Sequence, residues 1–410
     1  DGSTIDENGL VNWLAPIDLL FPYQMYAFNF GMADADGVIS DEISVEVKVE
    51  SSKAFPIARS GIEVPSGDKS MSVGDFDGDG ENEVLSTDGI ASVFLLEFQD
   101  GKYQQQWAYP FKPKADGRII QVLSTNTDDD NADEILVVTE KGMSVINGLN
   151  NLDTLLLSTT DYILFATVTD IDSDGIPEIA YLHSSNQHSS DVEVTVFSMD
   201  EPTETHFTTN LGDAKQVIFS DVDNDESLEL ISNNGLVYDA STWANQWISS
   251  NQFGDTSITS GDYNGDGINE IAGANGWGTI AIYSAVNKSQ LDSLDNFNTC
   301  TLHSDDVDSD GKDEFLVGDC QWGEITAYKL IDNKLTSLWS VDMQGHGSSS
   351  LTTGDSDNDG KLEIHWGTGT SSSGEDGFIT ADVAGYTASI KENSTSIQLD
   401  SYSSAGWAKV

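Results

Sequence analysis

One nine-residue pattern, Asp-x-Asp-x-Asp-Gly-x-x-Glu, recurs seven times in the 410-residue chain and constrains its fold more than any other feature. Successive copies begin 51, 44, 51, 41, 44 and 49 residues apart, a near-constant period that chance does not produce. Periods of this length are typical of propellers and other repeat architectures. The copies occupy residues 75–83, 126–134, 170–178, 221–229, 262–270, 306–314 and 355–363.

The residue types in the pattern are those that bind a hard cation. Ca²⁺ takes six to eight oxygen ligands at about 2.3–2.6 Å, and carboxylates at positions one, three, five and nine of a tight loop converge on one point. Glycine at position six allows the sharp turn. Because every side-chain ligand is an oxygen, zinc and other metals that prefer thiolate or imidazole are disfavoured. We predict up to seven structural Ca²⁺ ions, held by Asp75, Asp77, Asp79, Glu83, Asn126, Asp128, Asp130, Glu134, Asp170, Asp172, Asp174, Glu178, Asp221, Asp223, Asp225, Glu229, Asp262, Asn264, Asp266, Glu270, Asp306, Asp308, Asp310, Glu314, Asp355, Asp357, Asp359 and Glu363.

The copies differ in ways that predict different affinities. Asn126 and Asn264 each replace an aspartate, which keeps an oxygen but loses a charge. At position six, Asn131 tolerates a left-handed backbone, whereas Glu226 tolerates it poorly. We therefore expect the fourth site to be the weakest. The alternative for the whole set is an acidic, solvated turn without metal, although carboxylates crowded into one turn repel each other.

Short β-rich runs flank every copy, so each acidic segment is predicted to join two antiparallel strands. Two further strands fit before the next copy, for example residues 278–285 and the stretch near 288–293. Four strands per repeat, repeated seven times, predict an all-β fold: a seven-bladed β-propeller with four-stranded blades and a Ca²⁺-binding loop between strands one and two of each blade.

The loops and their flanking strands resemble the FG-GAP/VCBS repeats of integrin-α-like β-propellers, over roughly residues 54–400. This resemblance implies that the calcium loops lie on the face opposite the usual ligand surface, and that the ions stiffen the blades rather than contact a ligand. Propellers of this kind serve in adhesion, in lectins and in carbohydrate-active enzymes, so the resemblance indicates the fold more than the function.

Residues 1–52 break the period and resemble the second half of a PKD- or cadherin-like (Ig-like) β-sandwich. The predicted domains are therefore a partial Ig-like segment at 1–52 and the propeller at 53–410, with upstream domains in a longer chain. The alternative is an N-terminal extension packed on the propeller. The stretch 54–62 is favoured as the strand that closes the ring, and residues 395–410 are a competing element.

The two cysteines, Cys300 and Cys320, flank the sixth copy of the pattern. Antiparallel pairing across a hairpin places them opposite each other, where a disulfide is geometrically allowed. We predict this disulfide, which would favour an oxidising, extracellular setting. The alternative is a pair of buried free thiols.

The charge excludes several classes of partner. The chain has 70 acidic and 17 basic residues, for a formal net charge of −53. Nucleic-acid binding requires clustered Lys and Arg, and the sequence has no such cluster. No apolar run approaches the ~20 residues of a transmembrane helix, so membrane insertion is not expected. We predict a secreted or cell-surface protein.

Few residues point to a ligand or to catalysis. The fingerprints G-x-S-x-G, H-E-x-x-H and Walker A are absent. Trp277 and Trp322 follow the glutamates of their loops by seven and eight residues, which places them near the opposite face, and His346 is the best acid–base candidate. Packing between blades is the alternative role for the tryptophans, and simple solvation for the histidine.

We predict a module that binds a glycan or an extracellular surface protein, as in adhesion. One alternative is a catalytic or non-catalytic domain of a secreted polysaccharide-degrading enzyme. The other is a structural spacer in a large surface protein. Only two arginines are present, which disfavours a lyase acting on acidic sugars, because such an enzyme must neutralise the uronate.

Overall fold

The computed structural model describes residues 70–110, 115–128, 130–255, 257–321, 323–341, 347–368 and 377–383, together with strands at 4–5, 10–14, 23–30, 43–50, 58–60, 394–398, 400–401 and 408–409. Within these residues every regular element is a β-strand. These residues contain no helix that is long and apolar enough to cross a membrane.

The strands are short and follow one another closely. The first five are β1 (Thr4–Ile5), β2 (Leu10–Leu14), β3 (Tyr23–Phe30), β4 (Ile43–Glu50) and β5 (Ala58–Ser60). The next sixteen are β6 (Met71–Gly74), β7 (Glu83–Thr87), β8 (Ser92–Gln99), β9 (Lys102–Pro110), β10 (Ile119–Thr125), β11 (Glu134–Thr139), β12 (Gly142–Ile146), β13 (Asp153–Ser158), β14 (Tyr162–Thr169), β15 (Glu178–Ser184), β16 (Val192–Ser198), β17 (Phe207–Gly212), β18 (Val217–Ser220), β19 (Glu229–Ser232), β20 (Leu236–Asp239) and β21 (Asn245–Ile248).

The remaining strands are β22 (Ser257–Gly261), β23 (Glu270–Ala274), β24 (Trp277–Ser284), β25 (Ser289–Asp305), β26 (Glu314–Asp319), β27 (Ile325–Ile331), β28 (Lys334–Val341), β29 (Ser348–Gly354), β30 (Glu363–Thr368), β31 (Gly377–Asp382), β32 (Ser394–Gln398), β33 (Asp400–Ser401) and β34 (Ala408–Lys409).

Consecutive strands pair antiparallel in sheets that follow chain order. Four-stranded sheets are formed by β6–β9, β10–β13, β14–β17 and β18–β21. The 17-residue β25 is both the last strand of one meander and the first of the next, so β22–β28 form one seven-stranded sheet. The last meander, β29–β31, takes its fourth strand from β5, with Ile379 opposite Ser60. The prediction that the stretch 54–62 supplies this strand is confirmed, whereas β32 pairs with β2.

The first strands of the meanders contact one another in a closed series: β6 with β10, then β14, β18, β22, β25 and β29, and β29 again with β6. Glutamine side chains link some of these neighbours. Gln121 Oε1 accepts the Ala166 N–H over 2.7 Å, and Gln121 Nε2 donates to the Ala166 carbonyl over 3.2 Å. Gln216 makes the same pair of bonds to Ile258. The glutamine side-chain amide therefore forms hydrogen bonds with backbone N–H and C=O groups on the unpaired side of the neighbouring first strand.

The hydrophobic core lies between neighbouring sheets. The second strand of each meander is buried on both faces, so its alternate side chains enter different clusters. In β7, Val84 packs in a cluster with Phe378 of β31, whereas the next residue, Leu85, packs in a cluster with Ile135 of β11. The sheets are thus stacked face to face in succession. Each acidic segment lies at the end of its sheet, where it joins the first strand to the second.

The chain divides into two compact units, Asp1–Phe55 with Tyr386–Val410, and Pro56–Gly385. Within the first unit, β1, β2 and β32 form one sheet, β3 pairs with β4, and β33 pairs with β34. The predicted domain boundaries, 1–52 and 53–410, and the Ig-like character of the first segment stay predictions.

Candidate functional site

Each copy of the acidic pattern connects the first strand of a meander to the second. Residues 75–83, for example, begin directly after β6 and end where β7 begins. Because the strands of each meander alternate in direction, all the copies lie at the same end of their sheets, and the turns between second and third strands lie at the other end. The structure therefore gathers the acidic loops on one side and leaves the opposite side for other contacts.

The first aspartate of the pattern organises its own loop. In the first loop, Asp75 Oδ1 accepts the Gly78 N–H over 2.7 Å and Asp75 Oδ2 accepts the Gly80 N–H over 2.9 Å. The bond from position six recurs on the first aspartate of the third to seventh loops, namely Asp170, Asp221, Asp262, Asp306 and Asp355. These bonds fold the backbone of each of these loops into a tight turn.

Position six adopts the left-handed backbone at all five loops that have glycine there, and also at Glu226, whose φ is 72°. Position four is also left-handed, for example at Ser173 with φ 62° and Asn358 with φ 59°. The sequence did not reveal this second turn, because position four is occupied by several residue types. Glu226 has the Cβ that makes this conformation costly.

Carboxylate oxygens come close together within the loops. In several loops, three or four of them lie within 4.8 Å of one another, as the ligands of one cation must. These groups include Asp75 with Asp77 and Glu83; Asp128 with Asp130 and Glu134; Asp170 with Asp172 and Glu178; Asp221 with Asp223 and Asp225; and Asp355 with Asp357, Asp359 and Glu363.

The final glutamate of each loop is buried and carries a strong electrostatic penalty. Burial, opposed by the Phe76 N–H and reinforced by neighbouring aspartates, raises the pKa of Glu83 to about 8. The pKa of Glu229 is raised to about 8 for the same reasons. In addition, Asp223 Oδ1 and Glu270 Oε2 are buried with no donor in hydrogen-bonding geometry. Clustered oxygens that lack donors fit a hard cation and fit a dry loop poorly.

Lysines contact single groups of the fifth and seventh loops, as Lys361 does at Asp359, but in the sixth loop one lysine contacts three of the pattern carboxylates. Lys329 Nζ lies 2.6 Å from Asp308 Oδ2, 2.6 Å from Asp310 Oδ2 and 3.3 Å from Glu314 Oε1. Burial opposes the ammonium charge, but the hydrogen bonds to Asp308 and Asp310 outweigh it and raise the pKa of Lys329 above its ordinary range. The group therefore stays protonated at neutral pH.

Cys300 and Cys320 are joined by a disulfide, with their Cα atoms 4.9 Å apart. The predicted register, in which the two residues pair directly, is wrong. Thr299 is opposite Asp319 and Thr301 is opposite Gly318, so Cys300 is the extra residue of a β-bulge. Equivalent irregularities occur in the first hairpin of other meanders, for example between Ser348 and Ser350.

On the side opposite the loops, Trp277 is 81% exposed at the start of β24. Its cross-strand partner, Asn298, lines a shallow pocket together with Asp319, Glu324 and Thr326. The exposed Trp277 side chain thus lies beside a pocket that offers amide, hydroxyl and carboxylate groups. Trp322 and His346 lie outside the described residues.

No protein-family model matches the chain, and no curated protein matches it. Solved structures do resemble it. BBS1N, in a complex with ARL6DN soaked with mercury, has 12% identity and a TM-score of 0.58, with 79% of this chain and 97% of that chain covered. The C-terminal WD40 domain of Sif2 has 13% identity and a TM-score of 0.50, with 80% and 99% covered. A rhamnogalacturonan lyase of Bacillus licheniformis has 13% identity and a TM-score of 0.47, with 93% and 89% covered.

At such low identity the likeness is one of fold alone. The fold is all-β and β-propeller-like, with several four-stranded antiparallel sheets.

Proposed function

We propose that the chain is a calcium-stabilised, seven-bladed β-propeller of the FG-GAP/VCBS type, secreted or displayed at a cell surface, that binds a glycan through the side opposite its acidic loops. The observation that carries the binding function is Trp277, whose side chain is 81% exposed beside a polar pocket. An exposed indole is costly to leave in water and suits the apolar face of a sugar ring.

The closed series of contacts among the first strands supports the ring, and the clustered carboxylates support the calcium. In this role the ions neutralise the loops that bind them and fix their hairpins, so that the opposite rim is held rigid. Calcium chemistry at these loops is structural, and the chain's own residues make the contacts to the ligand.

The charge of the chain restricts the ligand class. Asp319 and Glu324 line the pocket, and the net charge is −53. A uronate-rich or sulfated polysaccharide would be repelled at this rim, since like charges in proximity are unfavourable. A neutral saccharide would accept hydrogen bonds from Asn298 and donate to the two carboxylates, while stacking on Trp277.

A glycan array in calcium buffer tests this function, with Trp277→Ala compared against Leu149→Ala. Leu149 is also exposed, at 54%, but its turn between β12 and β13 lies on the acidic-loop side. We expect neutral glycans to bind the unchanged protein and Leu149→Ala, and to be lost in Trp277→Ala. A folded protein that binds no glycan, or a Trp277→Ala variant that binds normally, would overturn the glycan proposal and favour a protein partner.

A further inference from the structure

We propose that the sixth loop does not use calcium: the Lys329 ammonium group occupies its cation position, so that one blade is held together without metal. The Nζ atom lies within 2.6–3.3 Å of oxygens from three different loop carboxylates. The contact to Asp310 Oδ2 is a hydrogen bond of 2.6 Å, and the contacts to Asp308 Oδ2 and Glu314 Oε1 are ion pairs in which the ammonium charge faces the carboxylates. A Ca²⁺ ion bound to the same oxygens at about 2.3–2.6 Å would overlap this atom.

The position of Lys329 in its sheet is not accidental. Tyr328 of β27 is opposite Phe315 of β26, so the next residue outward, Lys329, stands across from Glu314. Its aliphatic stem therefore runs along the inner side of the loop, and the side chain is only 15% exposed. Strand register, rather than a chance surface rotamer, brings the charge to the carboxylates.

The equivalent position in the other meanders is never basic. Register places an acidic or neutral polar residue across from the final glutamate in each case: Glu97, Asn147, Ser198, Asp239, Ser284 and Asp382. Several of these residues also face their loops, as Asn147 Nδ2 does when it donates to Glu134 Oε1 over 3.2 Å. An oxygen-bearing or neutral side chain opposite the final glutamate is compatible with a metal ion in the loop. A buried ammonium group at the same position takes the place of the metal ion.

The feature that sets the sixth loop apart is the burial of Asp308 against the lysine, rather than the backbone bond of position two. In five other loops the glutamate accepts the N–H of position two, as Glu83 does from Phe76 over 2.9 Å. In the sixth loop the Val307 N–H instead donates to the Asp305 carbonyl over 3.0 Å, and in the fifth loop the Tyr263 N–H donates to the Gly261 carbonyl over 3.0 Å in the same way. Asp308, at position three, is 6% exposed and turned inward to Lys329, whereas the corresponding Asp77 is exposed.

The same hairpin carries the Cys300–Cys320 disulfide at its far end. Lys329 neutralises the loop at one end of the hairpin, and the disulfide links the strands at the other end. In this proposal neither end of the hairpin depends on calcium for its stability. After chelation, we expect its amides to exchange hydrogen more slowly than those of the β6–β7 hairpin, whose loop has no internal cation.

This proposal rests on the proposed calcium role of the other loops, and counting bound ions by native mass spectrometry tests it. Lys329→Ser reproduces the serine of the third and fifth meanders, Ser198 and Ser284, and should bind one more Ca²⁺ than the unchanged protein. Lys334→Ser is the matched control, because Lys334 lies in the same meander, is 72% exposed and pairs with Asp292 instead of the loop. Equal counts in Lys329→Ser and the unchanged protein would overturn the proposal.

Lysine acetylation of the unchanged protein gives a second test that needs no variant to fold. Lys329 should resist acetylation both in calcium and after chelation, while Lys334 reacts in both. Acetylation of Lys329 that appears when calcium is added would show that the metal displaces the ammonium group and would overturn the proposal. If no calcium binds at any loop, the proposed calcium role fails. The reactivity of Lys329 after chelation then tests its contact with the carboxylates separately, and ready acetylation of Lys329 would overturn that contact.

Discussion

Asn82 of the first acidic loop and Asp355 of the seventh are 273 residues apart in the chain, and Asn82 Nδ2 donates to the Asp355 carbonyl over 2.8 Å. Asn82 is position eight of its loop and Asp355 is position one, and these two positions are also in contact between loops that are consecutive in sequence. The Asp133 N–H donates to the Asp75 carbonyl over 2.7 Å, and the Asp313 N–H to the Asp262 carbonyl over 3.1 Å. Position eight of one loop thus contacts position one of the preceding loop, and the first and last loops are joined in an equivalent way.

Asn82→Ala should lower the free energy of unfolding by about 1 kcal/mol, since it removes one partly buried side-chain hydrogen bond and leaves a carbonyl without its donor. Urea unfolding in calcium measures this change. Asn287→Ala is the control, because the Asn287 amide bonds only to Ser284 in its own turn. A loss equal to that of the control would show that the Asn82 contact does not help to join the chain ends.

Glu226→Gly should stabilise the protein by about 1 kcal/mol, because a residue with a Cβ is strained at a φ of 72°. Glu226→Ala separates strain from charge, since alanine removes the carboxylate but keeps the Cβ. The glycine variant should therefore be the more stable of the two in thermal unfolding. If alanine is equal to glycine or better, backbone strain at this loop is negligible.

The stability of the metal-free protein should fall as pH rises from about 4.5 to about 8. Burial, as the main cause, raises the pKa of Glu83 and of Glu229 to about 8, against about 4.3 in the unfolded chain. The folded state therefore binds more protons than the unfolded state across this range, and rising pH favours unfolding. Calcium binds the deprotonated carboxylates, so the gain in stability on adding it should be larger at pH 8 than at pH 5.

Urea unfolding at pH 5 and pH 8, with calcium and after its removal by dialysis against a chelator, measures both effects. Glu83→Gln keeps the shape and the Phe76 hydrogen bond but cannot titrate, and it should flatten the pH dependence of the metal-free protein. A metal-free stability that rises with pH over this range would contradict the raised pKa values.

Much of the fold could be predicted, because the seven acidic copies mark one connection in every repeat. The hairpins around them, the left-handed backbone at the glycines of position six and the strand at 58–60 that pairs with β31 all follow from that period. The bulge at Cys300 could not be predicted, since register shifts depend on packing between sheets rather than on the local pattern. Of the proposed rim, only Trp277 was indicated by the sequence, through its distance from Glu270.

The sequence alone did not identify Lys329 as the cation of the sixth loop, and the reason is topological. The residue opposite the final glutamate follows it by 10 residues in the fourth meander, where Asp239 pairs with Glu229, and by 20 in the third, where Ser198 pairs with Glu178. This variable spacing hides the position in the sequence. Lys329 can be identified only once the register of β26 and β27 is known.

Calcium-dependent thermal unfolding tests the central claim most directly. Ligand that binds only the folded state stabilises it by RT ln(1 + [L]/Kd), about 2.7 kcal/mol per site at a hundredfold excess over Kd. We predict that chelation lowers the melting temperature markedly and that added Ca²⁺, but not added Na⁺ of equal ionic strength, restores it. Identical melting curves in calcium and in chelator would contradict the account, because the acidic loops would then be folded without a bound ion.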